Sequence, residues 1–143
     1  MKRMKTMKYE EIEHTADLRL KVYGRDEREL FANAAFALFD KIVDLSAVEA
    51  RETDIVEASG ADLEETLVGF LGELLYRFEG ESRIYREFEI VELVPGGVKA
   101  VCNGESFDEA RHEVKAEIKA VTYHDVAIER GPSGVSVVIT FDV

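Results

Sequence analysis

The 143-residue chain contains no glutamine, only two asparagines (Asn33 and Asn103) and a single cysteine, Cys102. One cysteine excludes a disulfide within these residues and any cysteine-based zinc cluster. Cys102 alternates with Val98 and Ala100, so its expected role is that of a small buried hydrophobe. No apolar run reaches 18 residues, so no transmembrane helix is expected. The basic start, Met1 to Lys8, lacks the apolar segment of a secretory signal. Residues 1–7 are expected to be a loose extension, with Met4 or Met7 as alternative starts. Together these absences point to a cytoplasmic protein.

Positive charge is also scarce. Eighteen basic residues against thirty acidic ones leave a net charge of −12. Nucleic-acid binding needs basic surface to neutralise phosphates and release counterions, so direct contact with RNA or DNA is not expected. A protein partner with a basic face, or a bound cation, suits the excess better. A charged fraction of 34% with almost no amides is also the composition of many thermophile proteins.

What the chain does have is patterning. Tyr9 to Glu13 predicts a short strand, and Leu18, Leu20 and Val22 alternate with Arg19, Lys21 and Tyr23 up to a Gly24 turn. Asp26 to Leu45 predicts a helix, opened by a capping-box spacing between Asp26 and Glu29. Its apolar face is broad: Leu30, Ala34, Leu38 and Ile42 recur beside Phe31, Ala35, Phe39 and Val43. A strand is expected over Arg51 to Ala58, then a second helix from Asp62 to Glu79, capped by Asp62 with Glu65 and stopped at Gly80. Gly69 and Gly72, inside that helix, are expected to allow close packing.

The remainder is β-rich. A long strand or a bulged pair over Ser82 to Leu93 should point Phe88 and Ile90 inward, turn at Pro95-Gly96-Gly97 and return as Val98 to Cys102. Asn103 to Arg111 reads as a polar loop. Alternation over Val114 to Tyr123 predicts a further strand, a bend is expected at His124-Asp125, and Gly131 to Gly134 turns into a last strand over Val135 to Val143. Two amphipathic helices and about seven strands, grouped rather than alternating, indicate an α+β fold. The expectation is a single domain over residues 1–143, with a mostly antiparallel or mixed sheet and both helices packed on one face.

Few motifs carry chemistry. Gly-x-Ser-x-Gly, Walker and Gly-x-Gly-x-x-Gly patterns are missing. His14, His112 and His124 are too dispersed for a local zinc signature, although a composite site stays open. Glu13-His14-Thr15-Ala16-Asp17, between two strands, reads either as a polar turn or as a site held on a rigid frame. Asp142 is the polar residue between Phe141 and Val143 at the far end of the chain. If the first and last strands are neighbours, Asp17, Asp142 and the terminal carboxylate of Val143 converge. Three anionic groups repel one another unless a hard cation such as Ca²⁺ or Mg²⁺ lies between them, and Ca²⁺ tolerates irregular geometry better.

Four segments together resemble the archease family: His14-Thr15-Ala16-Asp17 with the Gly24 turn and the Leu30 to Asp44 helix, Asp62 to Tyr76, Ile118 to His124, and Phe141-Asp142-Val143. The resemblance covers the chain after Lys8. It implies a small cytosolic accessory protein of the RtcB-type RNA ligase, which joins tRNA exon halves. Such a protein is not itself an enzyme. It promotes guanylylation of the ligase's active-site histidine, supports multiple turnover and can broaden the nucleotide triphosphates accepted. The resemblance further implies that Asp17 and Asp142 bind metal with Val143 contributing, that Ca²⁺ is the ion, and that His14 and Lys119 lie in functional motifs.

Two rival readings remain. A chaperone or modulator of another RNA-modifying enzyme, such as a tRNA methyltransferase, would expose a broad apolar patch. A metal-dependent hydrolase would use Asp17, Asp142 and His14 as ligands and base.

Overall fold

The computed structural model describes residues 7–14 and 16–143, with the backbone alone for Glu13 and His14. In chain order the elements are β1 (Tyr9–His14), β2 (Asp17–Gly24), α1 (Glu27–Ile42), a 3-10 turn (Leu45–Ala47), β3 (Glu52–Ser59), α2 (Leu63–Glu81), β4 (Arg83–Val94), β5 (Gly97–Ser106), β6 (Ala120–Val121), β7 (Glu129–Gly131) and β8 (Gly134–Asp142).

Both strand-to-helix junctions use the same local device. Asp26 accepts the Glu29 N–H at 2.9 Å, while the Glu29 carboxylate accepts the Arg25 N–H at 2.7 Å. Asp62 accepts the Glu65 N–H at 2.8 Å, and Glu65 reaches back to the Ala61 N–H. Orphan amides of the first turn are thereby satisfied in each helix. A Cβ on Gly24 would lie 2.5 Å from the Leu30 nitrogen, and one on Gly60 would lie 2.5 Å from the Thr66 nitrogen. Only glycine lets each strand turn so tightly into its helix.

The strands form two sheets rather than one. The first runs β1-β2-β8-β6, with β7 also paired to β8, and the second runs β3-β5-β4. Every pairing is antiparallel. The cause lies in α1, which packs on β2 of the first sheet and on β4 of the second. Leu30, Phe31, Ala34, Ala35, Leu38, Phe39 and Ile42 are all at most 1% exposed. An apolar surface that wide cannot be buried by one layer, so a second sheet covers what the first leaves open. Helix α2 packs mainly on β3, where a Cβ at Gly69 would stand 3.2 Å from the Ser59 carbonyl oxygen. Gly69 therefore does allow a close approach. Gly72 does not, because nothing lies within 4 Å of its Cβ position.

Two further expectations change. Helix α2 runs through Gly80 and ends at Ser82, whose left-handed backbone (φ 58°) sends its N–H back to the Arg77 and Phe78 carbonyls. Val114 to Tyr123 is mostly not strand. The chain there leaves the end of α1, where the Lys115 N–H bonds the Ile42 carbonyl at 2.7 Å, and travels to the edge of β8. It pairs with β8 at Ala120–Val121, where the flanking Lys119 and Thr122 N–H groups bond the Asp142 and Thr140 carbonyls. Its alternation reflects anchoring by a few side chains, chiefly the buried Ile118, while Val114 stays 45% exposed.

Candidate functional site

The two ends of the described chain meet. Strands β2 and β8 pair over their full length, with Leu18 opposite Phe141 and Asp17 opposite Asp142. Leu18 and Phe141 point into the core at 0% and 1% exposure, so the alternation of each strand turns Asp17 and Asp142 outward on the same face. Directly opposed residues hold their Cβ atoms about 4.5–5.5 Å apart, and like charges so placed destabilise the pairing. Both aspartates are exposed, and Val143, the next residue, packs partly against the core.

A third segment joins them. On the other side of β8, Ala120 stands opposite Asp142, and the Lys119 N–H donates to the Asp142 carbonyl at 2.7 Å. Strands β2, β8 and β6 thus bring Asp17, Asp142, Val143 and Lys119 to one corner of the first sheet. The Lys119 side chain is exposed there. The backbone of His14 pairs with Leu18 across the β1–β2 hairpin, whereas the His14 side chain and Thr15 lie outside the described residues. Among the described residues, no group of three His, Cys, Asp or Glu side chains is gathered as a metal site. The side chains that Asp17 and Asp142 bring to this corner are carboxylates, oxygen groups of the kind that hard cations take.

A second polar group was not legible in the sequence. Glu105, 3% exposed, accepts the Glu49 N–H at 2.8 Å, Arg111 Nη2 at 2.5 Å and His112 Nε2 at 3.0 Å. Burial works to raise its pKa, but these donors outweigh it and hold the carboxyl at about 2. His112 Nδ1 accepts the Asp108 N–H at 2.9 Å, so its proton sits on Nε2 and faces Glu105. The group ties the turn before β3 to the loop after β5 and so acts as a clasp. Cys102 is fully buried, and burial pushes its thiol up to about 12, as befits a packed side chain rather than a nucleophile.

The Archease protein family (MTH1598/TM1083) matches residues 9–143. The chain belongs to the archease family. Among its relatives, Protein archease of Pyrococcus abyssi is 44% identical over 130 residues, covering 89% of this chain and 92% of that one. Protein archease of Methanopyrus kandleri is 43% identical over 127 residues, covering 87% and 91%. The solution structure of Methanobacterium thermoautotrophicum protein 1598 superposes with a TM-score of 0.79 at 31% identity, over 95% of this chain and 99% of that one. Family membership supports an accessory role in tRNA processing, and the relatives are named as a protein rather than by an enzymatic activity. No described helix is long and apolar enough to cross a membrane.

Proposed function

We propose that the chain is a non-catalytic activator of an RtcB-type RNA ligase, acting through the corner where β2 and β8 end. The partner comes from the family resemblance, and the observation that carries the site is the pairing of Asp17 with Asp142. Two carboxylates facing each other at a strand end, with Val143 next to them, repel one another, and a cation among them relieves that repulsion. Ca²⁺ suits the set better than Mg²⁺, because carboxylates at the tip of a sheet do not impose octahedral geometry. A bound divalent cation would supply positive charge at an exposed point able to reach the ligase's own nucleotide site. Asp17 and Asp142 would hold it there, with Lys119 beside them as a group for phosphate. The chain promotes guanylylation of the ligase's active-site histidine and repeated turnover, and extends the nucleotide triphosphates the ligase uses.

The test is a reconstituted guanylylation assay with the ligase from the same source, with and without this protein. Stimulation by the wild type should be lost in Asp17→Ala and Asp142→Ala, both still folded by circular dichroism. Undiminished guanylylation with either folded variant would sink the assignment of the site. No stimulation by the wild type would sink the activator role itself.

A further inference from the structure

The second sheet turns one face to the core, and no described element covers the other. On that outer face the cross-strand rows are Thr53–Asn103–Glu87, Ile55–Val101–Glu89 and Glu57–Lys99–Glu92. Three of the seven large hydrophobic side chains exposed among the described residues belong here: Ile55 at 47%, Val94 at 46% and Val91 at 39%. Isolated exposed apolar side chains are ordinary, but clustering on one uncovered face marks a contact surface. Among the described residues, these three rows carry four carboxylates, Glu57, Glu87, Glu89 and Glu92, and one ammonium, Lys99. Glu57, Glu89, Glu92 and Lys99 make no ion pair among the described residues. The first sheet differs, since its outer face sets Lys21 opposite Glu10.

The strip continues past Val94 into a groove of about 730 Å³, walled by Leu63, Leu93, Val94 and Pro95. Its rim carries the two helix-capping carboxylates, Asp26 and Asp62. Arg28, also at the rim, directs its guanidinium to the Ile90 and Val91 carbonyls at 3.2 and 3.4 Å. The groove therefore offers an apolar floor beneath an acidic edge.

We propose that this face and groove form a docking surface for a protein partner presenting basic side chains around an apolar one. Charge selects the occupant. A second copy of the chain would bring the same unpaired carboxylates together, and a nucleic acid would be repelled by them. A basic protein surface would pair with Glu57, Glu89 and Glu92 while an apolar side chain enters the groove beyond Val94. The surface involves different strands from the Asp17–Asp142 corner, so the two contacts can divide the work: one holds the partner, the other acts on it. The identity of the partner as the ligase rests on the function proposed above.

The experiment titrates the RtcB-type ligase of the same source with wild type, with the triple variant Glu57→Lys/Glu89→Lys/Glu92→Lys, and with Lys99→Ala. Calorimetry at low and high salt is combined with the plateau of guanylylation at saturating protein. The triple variant should bind about tenfold or more weakly at low salt, with a flatter salt dependence and an unchanged plateau. Lys99→Ala, which removes the ammonium from those three rows, should bind more tightly. Equal affinity of wild type and both variants, while the wild type still stimulates, overturns the docking surface and leaves the activator role standing. A wild type that neither binds nor stimulates overturns that role and this choice of partner together. A wild-type dimer that the triple variant converts to monomer, seen by sedimentation, would make the occupant a second copy and overturn the proposal.

Discussion

Asp17 and Asp142 each sit at a strand end with a like charge directly opposite, an arrangement that costs free energy in the free protein. Asp17→Asn should therefore raise stability in chelator by a few tenths of a kcal/mol, up to ~1 kcal/mol, read from urea midpoints. Calcium at a hundredfold excess over its Kd should stabilise the wild type by about 2.7 kcal/mol and should do nothing for Asp17→Asn or Asp142→Asn. A calcium-induced shift that persists in both variants would place any ion elsewhere. Glu105 poses the opposite case, a carboxylate held ionised inside the protein. Its folded pKa of about 2 lies below the ordinary 4.5, so its contribution is complete above 4.5 and is lost as pH falls toward 2. Glu105→Gln should remove that part of the acid sensitivity, visible as a flatter stability profile across this interval. His112→Ala, which deprives Glu105 of a buried donor, should cost about 1–3 kcal/mol.

The helices and their entry turns come next in scale. Caps at Asp26 and Asp62, each with a glutamate three residues on, were readable as spacing, and both are formed. What spacing could not distinguish was one glycine from another. Gly60 and Gly72 bracket the first half of α2, yet a Cβ on Gly60 meets backbone at 2.5 Å and one on Gly72 meets nothing. Gly72→Ala should thus stabilise the protein by about 0.5–1 kcal/mol, through helix propensity alone. Gly60→Ala should be destabilising, because backbone cannot yield as a side chain can. Thermal unfolding of the two variants checks the contrast, and equal midpoints would contradict the geometry. Gly80, read as a stop, fails for a related reason. Helices end where the chain can satisfy its last carbonyls, and Ser82 does that from a left-handed conformation two residues later.

For the whole molecule, periodicity and capping were enough to make an α+β fold with two helices and antiparallel strands legible, and the broad face of α1 already demanded deep burial. The order of hydrophobic and polar residues determines which face of each element is buried, because burial of apolar surface dominates folding. Asp17 and Asp142 could likewise be singled out as residues, being polar positions at the ends of apolar-alternating strands. Tertiary structure alone decided the rest. Two sheets rather than one, the irregular path of Val114 to Ala120, and the clasp around Glu105 all depend on contacts between segments far apart in sequence, which no local pattern encodes. So does the meeting of Asp17 with Asp142. Register between strands at opposite ends of a chain is set by which apolar face must be covered, and only the folded packing of β2 against β8 brings those two carboxylates side by side.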